Sequence, residues 1–309
     1  MTSADVTAGE GPRLRARRRR IGEDVVKGVL AVCALISVAT TVGIVIALFV
    51  PAFEFFQEVS IVDFLTGTEW APLFEPSHFG VLPLIGGTLL VTAVAGLVAL
   101  PLGLGGAIYL SEYAGPRMRG TLKPALEILA GIPTIVFGYF ALTFMTPLLR
   151  DIGLQVDIFN TLSAGLVMGV YLIPTVASLS EDAMGAVPRD LRDGAYALGS
   201  SKMQVATRIV VPAAVSGIIA SFVLGISRAI GETMIVLVAM GQQPNLTFDP
   251  REAAETMTAF IAATGAGDVP TGSVEYKTIF AVGATLFLMT FVMNIVAIRL
   301  VRRYREVYE

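Results

Sequence analysis

The sequence predicts an all-α integral membrane protein with six transmembrane helices and cytosolic N and C termini, on three observations. Of 309 residues, 54% are hydrophobic and 15% charged, against about 25% charged in an average soluble domain. Six stretches reach the roughly 20 apolar residues that a bilayer core demands of a helix: 25–50, 83–110, 122–149, 160–179, 209–240 and 278–301. Lys and Arg gather on one side of these spans, with seven through Lys27, three in 111–123, four in 181–208 and four from Arg299 onward. Only Arg150, Arg251 and Lys277 fall on the other side, and Arg228 lies inside a span. Positive loops stay in the cytosol, which puts both termini there, in a multi-pass protein of the plasma membrane.

Taken in order, residues 1–24 read as a disordered, basic cytosolic tail carrying six arginines between Arg13 and Arg20. The first span exceeds the roughly 7–15 apolar residues of a cleaved signal and has no A-x-A-like site after it. The Ile21-Gly22-Glu23-Asp24 that follows four arginines does not fit a twin-arginine signal. Residues 51–82 form an extracytoplasmic segment with Glu54, Glu58, Asp63, Glu69 and Glu75, no basic residue, and aromatics that include Phe53, Phe64, Trp70 and Phe79. It reads either as a docking surface or as an interfacial aromatic belt with solvated acids.

The core, 83–301, follows. Pro101 with Gly103, Gly105 and Gly106, Gly131-Ile132-Pro133-Thr134, and Pro174 are expected helix interruptions, the glycines serving close packing. Glu127 reads as a snorkelling or capping residue, Cys33 as a small hydrophobe, and His78 as a surface or docking residue. Within extracytoplasmic segment 241–277, Asp249 is positioned to cap a helix with Pro250 in its first turn. Residues 302–309 make a short cytosolic tail.

Several chemistries are excluded. One cysteine allows no intrachain disulfide or multi-cysteine metal site, and one histidine rules out His-pair metal motifs. No Gly-Lys dipeptide occurs, so no GxxxxGK[ST] nucleotide loop exists. No cofactor or metal is expected.

Two segments carry mechanism. In the cytosolic segment 181–208, Asp193-Gly194-Ala195 precedes Gly199 by three residues, and nine more lead to Ile209-Val210-Val211-Pro212. The spacing matches the EAA-x3-G-x9-I-x-LP signature of ABC importer permeases, with Asp-Gly-Ala for Glu-Ala-Ala and Val-Pro for Leu-Pro. Leu191, Ala195 and Leu198 share one helical face, while Arg192, Asp193 and Lys202 keep the rest wet. Such a helix, parallel to the membrane, suits the groove of a cytosolic partner.

Span five contains Ser227-Arg228-Ala229-Ile230-Gly231-Glu232-Thr233. Arg228 lies ~24 Å beyond Pro212 at the helical rise per residue, where a charge costs at least ~2.5–3.5 kcal/mol without a partner or polar cavity. Glu232, four residues on, falls on the same helical face, and an ion pair is expected. That pair either holds helices in register or leaves Arg228 as a permanently charged fork for a tetrahedral oxyanion. Ser227 and Thr233 add hydroxyls to the same path.

Residues 60–300 resemble the permease of the phosphate-specific ABC importer, through FLTGTEW (64–70), PLGLGGAIYLSEY (101–113), GIPTIVFG (131–138), AYALGS (195–200) and SRAIGET (227–233). The outer segment is closer to the PstC-type subunit than to its PstA-type sister. The resemblance implies the ABC type I importer permease fold, a sister permease of PstA type, two copies of a PstB-type ATP-binding subunit, and a PstS-type phosphate-binding protein outside, with membrane lipids around and no nucleic acid. It also implies that Arg228 and Glu232 matter for phosphate movement. The other readings are a permease for sulfate, molybdate or phosphonate, a self-sufficient channel or ion-driven carrier, and, weakest, a membrane-embedded enzyme.

Overall fold

The computed structural model describes residues 21–303; most of the basic tail, 1–20, and residues 304–309 lie outside the described residues. The elements run α1 Ile21–Glu58, α2 Ile61–Thr66, β1 Trp70–Ala71, β2 His78–Phe79, α3 Leu82–Ile108, α4 Pro116–Ala130, α5 Thr134–Phe140, α6 Thr146–Asp151 and α7 Thr161–Gly185. They continue as α8 Arg189–Ala197, α9 Lys202–Val205, α10 Val211–Ala213, α11 Val215–Ile230, α12 Met234–Ala239, α13 Met257–Ala266 and α14 Val274–Arg303. Three π-helical turns, Tyr109–Tyr113, Ala141–Met145 and Ala206–Val210, widen the helices they extend.

The chain divides into two units, 1–47 and 48–309. In the first, the described residues are helical and their apolar side chains, such as Leu30, Leu35 and Ile44, are exposed. That is the pattern of a span whose solvent is lipid.

The second unit is organised around α3 and α7. Three glycines let the helices meet. A Cβ on Gly103 would lie 2.7 Å from Val176 Cβ, one on Gly165 2.7 Å from Val94 Cβ, and one on Gly169 2.6 Å from Val98 Cβ. In lipid, apolar burial does not drive helix association, so such close backbone packing carries it. α11 and α12 pack on this pair through a central cluster that includes Val91, Met168, Leu172 and Ile235. A second cluster joins Phe55, Phe64, Trp70, Leu84, Met257 and Phe260 at the acidic end, and a third joins Ala107, Met184, Ala195, Val205 and Ile218 at the basic end.

Among the described residues, four helices are long and apolar enough to cross a membrane, or six if each of two bent pairs is one span. The expected third span is one such pair. It bends by 86° between α4 and the Thr134–Asp151 segment, at Gly131-Ile132-Pro133, where Pro133 has no N–H to continue the helix. α4, with Arg117, Arg119, Lys123 and Glu127, has no fully buried residue and is amphipathic. The expected fifth span is the other pair. It bends by 73° between Lys202–Ala213 and α11, and it stops at Ile230 instead of running on to 240.

Pro101 and Pro174, by contrast, do not interrupt α3 and α7, which continue through them. Asp249 does not cap the following helix. α13 starts later, with the Thr256 hydroxyl accepting from Ala259 N, while Asp249 turns to Arg251 Nη2 at 2.5 Å. That ion pair holds its carboxyl down at about 2.

Gly169→Ala should destabilise the folded chain by about 1–3 kcal/mol, because the Val98 side chain and the Ala95 carbonyl leave no room for a methyl group. Gly105→Ala meets nothing within 4 Å and should be neutral or stabilising. Thermal unfolding of the two variants in lipid nanodiscs checks the contrast.

Candidate functional site

The α11–α12 break gathers all four sequence-predicted path residues. α11 ends at Ile230, Gly231 occupies its C-terminal cap, and α12 restarts at Met234. The break turns Glu232 away from Arg228, so the expected ion pair is not formed. An i, i+4 pair needs an uninterrupted helix between its members. The Glu232 carboxylate instead accepts from Met234 N at 3.0 Å and Ile235 N at 3.3 Å, taking the free amides at the start of α12. Thr258 Oγ1, from the start of α13, donates to the Glu232 carbonyl at 2.7 Å.

Arg228 turns to α7. Its guanidinium lies 4.7 Å from the centre of the Tyr171 ring, in cation–π contact. Nη2 donates to Tyr171 Oη and Nη1 to Thr175 Oγ1 at 3.3 Å. Phe137 of α5 braces Tyr171 with ring centroids 5.3 Å apart. The side chain is thus fastened by neutral groups, no carboxylate pairs with it among the described residues, and the residue stays exposed. Ser227 Oγ is buried without a partner, and Thr233 Oγ1 donates to the Gly231 carbonyl at 3.4 Å. Sequence reasoning missed Tyr171 and Thr175. Their i, i+4 spacing across Pro174 in a span was the available signal.

A cavity of about 350 Å³ lies beside this site, lined by Thr175, Ser178, Leu224, Lys123, Glu127 and Glu181 among others. Glu181 is 0% exposed and neutralised by two cations of α4, Arg119 at its Oε1 and Lys123 Nζ at 2.8 Å from Oε2. This pairing explains how a carboxylate is tolerated in α7: a buried charge is held only by partners.

The segment that matches the transporter signature is built differently from its expected wet and dry faces. Ala195 points into the core at 8% exposed, but Leu198 is 88% exposed, because α8 ends at Ala197 and Leu198 occupies the cap. Gly199, at φ +81°, makes the left-handed turn that ends the helix. Asp193 and Gly194 are exposed, and no atom comes near the place of a Gly194 Cβ. Pro212 enters the first turn of α10, where a missing N–H is harmless.

Arg192 is the larger correction. It is not a solvated residue: its side chain is 16% exposed, and its fork spans three partners. Nη1 donates to Val187 O at 2.7 Å, while Nη2 donates to Met184 O at 2.8 Å and to Glu112 Oε1 at 3.0 Å. One guanidinium therefore ties α8 to the end of α7 and to the π-helical end of the α3 span. The structure places this anchor and the Arg228 site at separate parts of the chain, linked through α10 and α11.

Arg192→Lys should loosen the segment, since a single ammonium cannot reproduce the fork. Amide hydrogen exchange across 184–198 should rise about tenfold, the equivalent of one charge-assisted hydrogen bond. Unchanged exchange would remove the anchoring role.

The family model described as "Binding-protein-dependent transport system inner membrane component" matches residues 99–306. The probable ABC transporter permease protein YqgH of Bacillus subtilis is 36% identical over 299 residues, covering 96% of each chain. The phosphate transport system permease protein PstC of Xylella fastidiosa (strain Temecula1) is 33% identical over 256 residues, covering 76% of this chain and 77% of the relative. In fold, the chain is similar to one in a bacterial alginate ABC transporter crystallised with an alginate-bound periplasmic protein, with TM-score 0.64 and 17% identity over 92% of this chain and 98% of that one. A chain of the MetNI methionine ABC transporter gives TM-score 0.56 and 18% identity over 74% and 95%. By its family match and its relatives, the chain belongs to the inner membrane components of binding-protein-dependent transport systems.

Proposed function

We propose that the chain is the PstC-type permease subunit of an ATP-driven inorganic phosphate importer. The observation that carries this reading is Arg228: a fixed guanidinium, fastened by Tyr171 and Thr175 and not cancelled by Glu232. A charge set into a span marks a transport path by default, and a planar fork with donors to spare suits a tetrahedral oxyanion. The printed names of several relatives, PstC among them, support phosphate as that oxyanion.

Both termini and the 181–208 segment lie in the cytosol in this reading, and 51–82 and 241–277 lie outside. A sister permease of PstA type completes the path against the exposed side of Arg228. Without a nucleotide loop of its own, the chain takes its energy from two copies of a PstB-type ATPase. Leu198, with Asp193, Gly194 and Gly199 around it, enters the groove of that subunit. Closure of the ATPase pair moves α8, and the Arg192 fork passes the displacement to α7 and the end of the α3 span, so that the α11–α12 break alternately opens Arg228 to each side. The chain is then a transporter subunit whose ATP hydrolysis belongs to a partner. The acidic outer face repels free phosphate, which is why a PstS-type carrier must dock and release it.

Arg228→Gln, in the complete complex reconstituted with the binding protein, should cut radiolabelled phosphate uptake by at least about tenfold, the scale of one lost charge-assisted contact. Assembly and basal ATPase activity should stay intact. Uptake at the wild-type rate would overturn the anion role. Competition by unlabelled sulfate or molybdate stronger than by phosphate would replace the substrate, and flux through liposomes holding this chain alone would replace the mechanism.

A further inference from the structure

The acidic end of the second unit contains a cavity of about 640 Å³, whose lining includes Trp70, Phe74, Glu75, Glu255, Phe260 and Asp268. Two of its groups are left in states that a folded chain avoids. Glu255 is 5% exposed, and no hydrogen bond or ion pair reaches its carboxyl among the described residues. Trp70 is 4% exposed, and its indole Nε1 is buried without an acceptor. A buried unpaired polar group costs free energy unless something arrives to satisfy it. Neither residue takes part in the Arg228 site or in the segment around Arg192.

The chemistry of the lining selects the visitor. Glu75, Asp268 and Glu275 add three further carboxyls, and no Lys, Arg or His lines the cavity. An anion is repelled. A small free polyamine satisfies Glu255 but brings no acceptor for the Trp70 N–H. A peptide segment with a basic residue brings both: an ammonium or guanidinium on an apolar stem for Glu255 and the aromatic walls, and a backbone carbonyl for Trp70.

We propose that this cavity is the seat of a Lys or Arg side chain presented by the extracytoplasmic binding protein when it docks. The proposal rests on the importer reading above, in which segments 51–82 and 241–277 face outward, and the family's dependence on a binding protein supplies the partner. In the undocked chain, burial pushes the Glu255 carboxyl up to about 7. The folded state then holds a proton that the unfolded chain, titrating at the ordinary 4.5, has lost. Stability therefore falls as pH rises from about 4.5 to about 7 and stays low above that. The neighbouring Glu75, Asp268 and Glu275 only add negative charge. A docked cation removes the penalty.

The test uses the complete complex in nanodiscs and the purified binding protein of the same system. Glu255→Gln should raise the thermal unfolding midpoint at pH 8 and leave it unchanged at pH 4. Glu255→Gln and Trp70→Phe should each weaken binding-protein affinity about tenfold. With Phe74, at the cavity lip, replaced by the photo-crosslinker p-benzoylphenylalanine, illumination should join the complex to a binding-protein peptide containing Lys or Arg. Unchanged affinity in Glu255→Gln, a cross-link to the sister permease alone, or an unmoved midpoint at pH 8 overturns the proposal. Uptake lost in Arg228→Gln while Glu255→Gln binds normally would sink this inference and spare the importer. Loss of binding in Glu255→Gln with no phosphate uptake by the wild-type complex would do the reverse.

Discussion

The site depends on a guanidinium that an apolar helix carries without a counter-charge among the described residues. Arg228 carries its guanidinium within a span, where a charge needs a partner or a polar cavity. What makes it tolerable is the face of α7, where a ring supplies electron density, two hydroxyls accept hydrogen bonds, and Phe137 holds the ring in place. Neutral fastening has a consequence that an ion pair would not. The position of the charge is set by Tyr171 and Thr175 while its field is not cancelled by Glu232. Glu232 is spent locally on the amides of α12, which stabilises the break that frees Arg228 from it.

At the basic end, charges serve a different purpose. Glu112 and Glu181 are both nearly or fully buried, and each is matched by cations from another helix: Arg192 for the first, Arg119 and Lys123 for the second. Buried pairs of this kind add little net stability but fix geometry, because parting them strands a charge. α4 has no fully buried residue and α8 buries Ala195, and these ion pairs fasten both helices to their neighbours. Pinned in this way, they are held against α7, and the glycine contacts of α7 hold it close to α3.

The small-residue contacts and the buried pairs also explain why the sequence could be read so far. Apolar runs of sufficient length, the one-sided distribution of Lys and Arg, and the spacing from Asp193 to Pro212 are all properties of the chain in one dimension. Hydrophobic thickness and helical rise convert them directly into spans, and a family signature into a surface helix. Gly131-Ile132-Pro133 was legible as a break because proline lacks a donor wherever it sits. Pro101 and Pro174 were misread for the complementary reason: whether a missing hydrogen bond bends a helix depends on the neighbours packed around it, and in α3 and α7 those neighbours hold the axis.

By itself, then, the sequence determined the helical membrane class, the candidate charge in span five, the segment beside the transporter signature and the absence of a nucleotide loop, since each follows from composition or local spacing. Tertiary structure alone decided the partners. Arg228 meets Tyr171 and Thr175 across 57 and 53 residues, Arg192 meets Glu112 across 80, and Glu181 meets Lys123 across 58. Side chains choose among acceptors by distance in space, and a three-residue break at 231–233 is enough to turn an expected i, i+4 ion pair into two unrelated contacts.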